Sequence, residues 1–284
     1  MTDPELAAYL GSRRQEIDIA LERFLPRPPH RPEPGRAVGL DAIAAGMRYA
    51  ALQGGKRMRP ILALAACEAA GGTTTQAMPA ACALEMIHAY SLVHDDLPAM
   101  DDDAERRGQP TVHVAFGEAI AVLVGDALLT GAFQAVTTTR NDVSAQAMLE
   151  CVRIMAHHAG FMGMVGGQGL DLAWGQRIDN LKHLERLHAL KTGGLYAAAG
   201  AMGGLCSGES SDTVGRLEAY GLAFGIAFQH ADDVLDDDQL DLRPQAQARV
   251  DVLARECNEI AHGFGERGHR LAAIADWVRA RAHL

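Results

Sequence analysis

HAYSLVHDDLPAMDDD, residues 88–103, runs an apolar helical face straight into a row of carboxylates, and FQHADDVLDDD, residues 228–238, does the same later in the chain. Either run alone reads as a solvated face or a helix cap. Two of them in one chain read differently. Helices apolar enough to be buried both end in groups that are costly to desolvate unless a cation compensates them. Oxygen ligands without a Cys or His ligand pattern suit a hard cation, Mg²⁺ above all. Asp232 and Asp236 stand i, i+4 on one helix face, with Asp233 beside them and Gln229 one turn earlier. Asp95 continues the face of His88, and Pro98 disrupts the helix behind it, which lets Asp101 turn back toward Asp95. Two such rims across a cavity would hold several Mg²⁺ ions and, through them, a diphosphate.

The matching cations are present. GGKRMRP, residues 54–60, sets Lys56, Arg57 and Arg59 just after a glycine turn, where backbone amides approach an anion closely. Arg106-Arg107-Gly108 follows the first acidic run, and Lys191-Thr192-Gly193-Gly194 opens a later helix. Each basic group alone reads as a surface residue. Beside two metal-type aspartate sets they read as a polyphosphate site, although the GxxxxGK[ST] spacing of a P-loop is missing.

The rest of the chain supplies the frame. Its 284 residues are 48% hydrophobic and 22% charged, as in globular proteins with a sizeable core. A net charge of −10 excludes nucleic acid as the main partner, which would call for a basic face. Aromatics are only 5%, and apolar residues recur at helical spacing. Helices are expected over 3–25, 40–53, 57–70, 77–97, 117–137, 143–162, 181–189, 193–206, 212–237, 245–263 and 269–282, with no strand. PRPPHRPEPG, residues 26–35, reads as an extended, exposed connector inside one all-α domain spanning 1–284. Five scattered cysteines without a CxxC pair suggest reduced core thiols and a cytoplasmic setting. The N-terminus is acidic and lacks the apolar run of a signal peptide. The most apolar stretch, AIAVLVGDALLTGAF, contains Asp126 and is shorter than the roughly 20 residues that span a bilayer, so no membrane insertion is expected.

GGKRMRP (54–60), the 88–103 block with Arg106-Arg107-Gly108, GGQGLDL (166–172), Lys191-Thr192-Gly193 and 228–236 occur in the order seen in trans-isoprenyl (polyprenyl) diphosphate synthases. The chain resembles that family over roughly residues 40–240 and looks closest to bacterial farnesyl diphosphate synthases. Their first aspartate motif carries two extra residues, here Pro98-Ala99. The resemblance implies an antiparallel helical bundle around a deep cavity, of isoprenoid synthase type, as a homodimer. It implies a Mg²⁺ cluster of about three ions, with Asp95, Asp101, Asp232 and Asp236 as ligands and Asp96 and Asp233 completing the motifs. Lys56, Arg59, His88 and Arg107 match positions that bind isopentenyl diphosphate. Arg106, Lys191, Thr192 and Gln229 match contacts to the allylic diphosphate. Asp95, Asp101, Arg106, Lys191 and Asp232 are thereby the expected catalytic set.

In the family, an aromatic at the position of Tyr90 tends to close the cavity near a C15 chain. Tyr90 lies about 7.5 Å along the axis from Asp95, beside the small Ser91. The plainer reading of Tyr90 is an ordinary core aromatic. The implied product is mainly farnesyl diphosphate, from isopentenyl diphosphate and a dimethylallyl or geranyl primer. One departure stands out: the family's lysine-bearing loop after the second motif is shortened, and no lysine follows Lys191. Either Arg243 or Arg249 substitutes, or the site is more open. Two rivals remain: a class I terpene synthase, which would leave GGKR without purpose, and a catalytically weak or regulatory partner subunit.

Overall fold

The computed structural model describes residues 3–27, 39–138, 142–174, 178, 180–236 and 240–283. Asp237, Asp238 and most of the proline-rich connector lie outside the described residues. Helices α1 (Pro4–Phe24), α2 (Leu40–Leu52), α3 (Met58–Ala69) and α4 (Thr74–Asp95) come first. A hairpin of two short strands, β1 (Glu105–Arg106) and β2 (Gln109–Pro110), separates them from α5 (Val112–Phe116), α6 (Glu118–Val136), α7 (Ala145–Ala159) and α8 (Met164–Trp174). Then α9 (Leu181–His188) passes through a π-helical turn, Ala189–Gly193, into α10 (Gly194–Cys206). The chain ends with α11 (Ser211–Leu235), α12 (Arg243–His262) and α13 (His269–Arg281). The all-α expectation holds.

Local chemistry sets the helix starts. Asp3, Thr73, Ser144, Asn180 and Ser210 each accept a bond from a backbone N–H in the first turn that follows. Thr73 and Gln76 form a reciprocal capping box, so α4 begins at Thr74 instead of near 77. Buried surface holds the bundle together. Almost every residue of α10 is buried, and it packs between α3, α7 and α11, while α4 packs along α3 and α6. Fully buried Leu62, Leu64 and Leu84 each contribute on the order of 1.5–3 kcal/mol.

Three expectations are corrected. The short hairpin was not foreseen: Arg107 (φ 54°) and Gly108 (φ 75°) both have positive φ, the signature of a two-residue I′ turn. Helices α5 and α8 were also missed; α8 is rich in glycine, a poor helix former, and packing overrides propensity there. Gly167 meets the π-turn so closely that a Cβ would lie 2.3 Å from the Lys191 nitrogen. Finally, the apolar stretch in α6 belongs to a 19-residue helix, which by length and composition alone is long enough to cross a membrane. In the fold α6 packs on α4 and α2. All five cysteines are free and buried, and burial pushes the Cys67 thiol up to about 12.

Candidate active site

Helix α4 delivers the first acidic cluster at its C-terminal end. The helix stops at Asp95, and the loop beyond turns back so that the Asp101 N–H donates to the Asp95 carbonyl at 2.9 Å. The return foreseen from Pro98 is therefore present. Burial pushes the Asp95 carboxyl up to about 6; Lys191 counteracts this and Asp101 adds to it. Among the described residues, no side chain hydrogen-bonds the Asp95 carboxylate. Asp96 turns the other way: it is buried and accepts from Arg106 Nε at 2.7 Å, with the guanidinium Nη2 also 2.7 Å from the same oxygen. Arg106 also reaches Asp103 at 3.1 Å, so it is tied to the loop it follows.

The glycine turn and the hairpin build a cationic corner. Gly54 (φ 83°) and Gly55 (φ 125°) let the chain double back before α3, and Arg107 Nη1 donates to the Gly54 carbonyl at 2.7 Å. A Cβ on Gly55 would strike the Arg107 guanidinium. The three cations of the GGKR segment then separate. Arg57 turns into the core, pairing with Glu85 and, at 2.8 Å, with Asp18, and donating to the Ala51 carbonyl at 2.8 Å. It is a structural strut, and breaking such a buried pair costs about 3–5 kcal/mol. Arg59 lies over the Tyr196 ring at 4.8 Å, and its Nε is buried without a partner. Lys56 lies over the Phe228 ring at 5.1 Å and reaches Asp232 at 3.3 Å. Burial and the cluster of arginines hold His88 well below the usual imidazole range, hence neutral.

The second cluster lies on α11. Asp232 Oδ1 accepts from Arg281 at 2.5 Å as well as from Lys56. Asp236 caps the helix, exposed, its N–H bonded to the Asp232 carbonyl at 2.9 Å. It borders neither cavity described below. The π-turn carries Lys191 and Thr192 opposite. Lys191 pairs with Asp171 of α8. Thr192 donates to Gln229 Oε1 at 2.9 Å, and Gln229 Nε2 donates to Asp233 Oδ1 at 2.9 Å. A π-turn of this kind is frequent at functional sites because it displaces side chains from the regular helical face.

Two adjoining cavities open between these walls. One, about 680 Å³, starts at Asp95 and Lys191 and runs past Tyr90, Ser91, Met100 and Met164. The other, about 620 Å³, is lined by Lys56, Arg106, Arg107 and Asp232. They share Arg59, His88, Leu92, Thr192 and Gln229. Both fall within the roughly 300–1,000 Å³ of small-molecule clefts. Tyr90 is buried on the wall of the first, edge-on to His94 at 5.8 Å. His94 Nε2 in turn lies 3.0 Å from the Val122 carbonyl, which fixes that wall against α6.

The carboxylates fit a hard divalent ion. An Asp95 carboxyl raised by burial and by Asp101 is relieved by a cation of higher charge than any lysine. Arg243 and Arg249, the two arginines considered in place of the missing lysine, border neither of these two cavities, and Arg249 pairs with Glu185 at 2.5 Å. Besides Lys56, Arg281 reaches the second cluster, and it went unnoticed in the sequence, as did Asp171, although the latter lies within the GGQGLDL segment.

A helical bundle with two acidic helix ends facing a cationic corner across a joined cavity defines an enzyme that handles diphosphates. The pattern of the polyprenyl synthetase family matches residues 41–241, and the chain belongs to that family as a prenyltransferase. It is 38% identical to a geranylgeranyl diphosphate synthase of Cyanophora paradoxa, over 98% of this chain and 97% of that one. A dimethylallyltranstransferase of Fischerella ambigua is 37% identical over 98% of this chain and 84% of its own length. Among solved structures, an FPP/GFPP synthase of Zymomonas mobilis aligns with TM-score 0.82 and 36% identity, covering 96% of this chain and 98% of that one. A geranyltransferase of Legionella pneumophila aligns with TM-score 0.85 and 30% identity, covering 98% of each. The expected tie to farnesyl-type enzymes thus meets relatives named for several product lengths.

Proposed function

We propose that this short-chain prenyl diphosphate synthase condenses isopentenyl diphosphate with a dimethylallyl or geranyl primer, giving mainly farnesyl diphosphate. The observation that carries this reading is the pair of joined cavities, one mostly apolar below Asp95 and one polar beside Lys56, Arg59 and Arg107. The apolar cavity suits an allylic chain with its diphosphate at Asp95 and Lys191. The polar one suits a second diphosphate.

In this reading Asp95, Asp101, Asp232 and Asp236 would hold Mg²⁺, about three ions per site, and the bound metal would supply positive charge for the leaving diphosphate. Lys191, released from Asp171, and Arg106 add positive charge at the same oxygens. Thr192 and Gln229 orient the allylic end. Lys56, Arg59, Arg107 and neutral His88 fix isopentenyl diphosphate so that its alkene faces the carbon losing diphosphate. The C–O bond breaks, the new C–C bond forms, and the departed diphosphate accepts the proton. No side-chain nucleophile is needed.

Purified protein given Mg²⁺, isopentenyl diphosphate and each allylic primer in turn should yield a C15 diphosphate by mass spectrometry. Absence of any condensation product would sink the reading in favour of a regulatory subunit, and product made without consuming isopentenyl diphosphate would favour a terpene synthase. Because Tyr90 is buried on the apolar wall, Tyr90→Ala is expected to lengthen the main product by one or more C5 units; an unchanged length would return Tyr90 to an ordinary core role. We further propose a cytoplasmic homodimer. Its support is the exposed apolar stripe of α6, where Val122 and Leu123 are 42% and 45% exposed. Sedimentation at micromolar concentration should give twice the monomer mass, and Leu123→Glu should halve it.

A further inference from the structure

On the side of α11 where Asp233 of the second cluster turns from Asp232, and bordering neither cavity, two helices face each other with the same pair of ligand types. Helix α9 carries Glu185 and His188, and α11 carries His230 and Asp233. Each pair is spaced i, i+3 and so shares one helix face. Ligand atoms of His188, His230 and Asp233 all lie within 4.8 Å of one another. His188 Nε2 is 3.0 Å from Asp233 Oδ2, the two imidazoles are 4.5 Å apart, and Glu185 Oε1 lies 3.8 Å from His230 Nε2.

The second observation is an unmet need. His230 is fully buried, yet neither of its ring nitrogens has a hydrogen-bond partner, and His188 Nδ1 has none either. Leaving a buried polar group unpaired costs about 1–3 kcal/mol, and an ion that takes one nitrogen from each ring would relieve two of these three. A metal takes a lone pair from a neutral imidazole and charge from a carboxylate, and the two rings and Asp233 already converge here.

We propose that Glu185, His188, His230 and Asp233 form a site for a borderline divalent ion of the Zn²⁺ type, separate from the all-oxygen Mg²⁺ site. Two imidazoles and two carboxylates match Zn²⁺ in donor type, number and charge, whereas Mg²⁺ takes oxygens. Four-coordinate bonds of about 2.0–2.2 Å require the present spread to close by side-chain rotation, with Glu185 drawn in from Arg249. The ion would staple α9 to α11. Because Gln229 donates to Asp233 and Thr192 to Gln229, occupancy would also steady the floor of the diphosphate site. The site stands on its own geometry and does not depend on which prenyl product is made.

The test uses the full chain, stripped by a chelator and then titrated with Zn²⁺ in a large excess of Mg²⁺, so that the oxygen-only carboxylates are already filled. One Zn²⁺ per chain is expected to remain through gel filtration, and Co²⁺ in its place should give the visible bands of a four-coordinate, imidazole-bearing site. His230→Leu, which fills the same buried space with an apolar side chain, should lose the bound ion. Glu185→Gln should weaken it by at least about tenfold. Wild-type protein that retains no more Zn²⁺ than His230→Leu would overturn the proposal. Should His230→Leu fail to fold by circular dichroism, Glu185→Gln decides: a Zn²⁺ affinity and Co²⁺ spectrum identical to wild type would overturn it equally.

Discussion

Asp95 and Asp232 head the two acidic clusters, yet no side chain among the described residues hydrogen-bonds the Asp95 carboxylate, while Asp232 Oδ1 receives Lys56 at 3.3 Å and Arg281 at 2.5 Å. The first carboxylate is raised by burial and by its neighbour Asp101. The second carries its own counter-ions. One wall of the site is therefore poised for a divalent ion, and the other must release cations before an ion can take their place. The released Lys56 and Arg281 would then be free to meet a diphosphate beside it.

The sharpest way to break this comparison is Asp95→Asn. Loss of the unpaired carboxylate should lower turnover by about 10²–10³-fold, the scale of removing a charge-stabilising group. Without Mg²⁺ the variant should melt no lower than wild type, because Asp95 contributes no ion pair to lose. A clear drop in its metal-free melting temperature would contradict the asymmetry.

Next in size is a pH effect. The Asp95 carboxyl at about 6 lies above its ordinary value of 3.8, so between about pH 4 and 6 the metal-free folded state holds a proton there that the unfolded chain has released. Its effect on stability runs accordingly: folding is favoured by protonation, and this contribution declines as pH rises through that window. Mg²⁺ binding runs the other way because it needs the ionised carboxylate. Between pH 7 and pH 5 the apparent Mg²⁺ affinity at that wall should fall by about tenfold. In Asp95→Asn this dependence should flatten, as isothermal titration at both pH values would show.

Smaller still are changes at the shared floor and at the paired wall. Gln229→Leu removes both hydrogen bonds that link Thr192 to Asp233 and should lower kcat by about tenfold or somewhat more, each bond being worth about 0.5–1.5 kcal/mol. Arg281→Gln removes a counter-ion from Asp232. It should tighten Mg²⁺ by a few-fold while lowering metal-free stability by no more than about 1 kcal/mol. Weaker Mg²⁺ binding in Arg281→Gln would mean that the arginine supports the metal rather than competing with it.

Much of this site was legible in the chain because its chemistry is local. Apolar periodicity marks α4 and α11, and the acids at their ends declare themselves without any tertiary knowledge. The glycine turn before α3 is equally local, though only the fold separates Arg57, locked in an ion pair with Glu85, from Lys56 and Arg59, which have no such buried acidic partner among the described residues. What went unread depends on long-range contacts. Arg281 meets Asp232 from 49 residues away, and no pattern announces that reach. Asp171 meets Lys191 only because glycine-rich α8 folds against the π-turn, where tertiary packing overrides weak propensity. The His188–His230–Asp233 group was hidden because His188 lies in a segment read only as a helix and the 228–238 segment was not read for its histidine.

The most direct measurement is the Mg²⁺ dependence of binding a non-ionisable allylic thiolodiphosphate to wild type, Asp95→Asn and Asp232→Asn. If both walls grip one leaving group through metal, wild-type affinity should rise steeply with Mg²⁺, and each variant should lose most of that rise. Wild-type affinity that ignores Mg²⁺, or an Asp232→Asn protein whose Mg²⁺ response matches wild type, would contradict it.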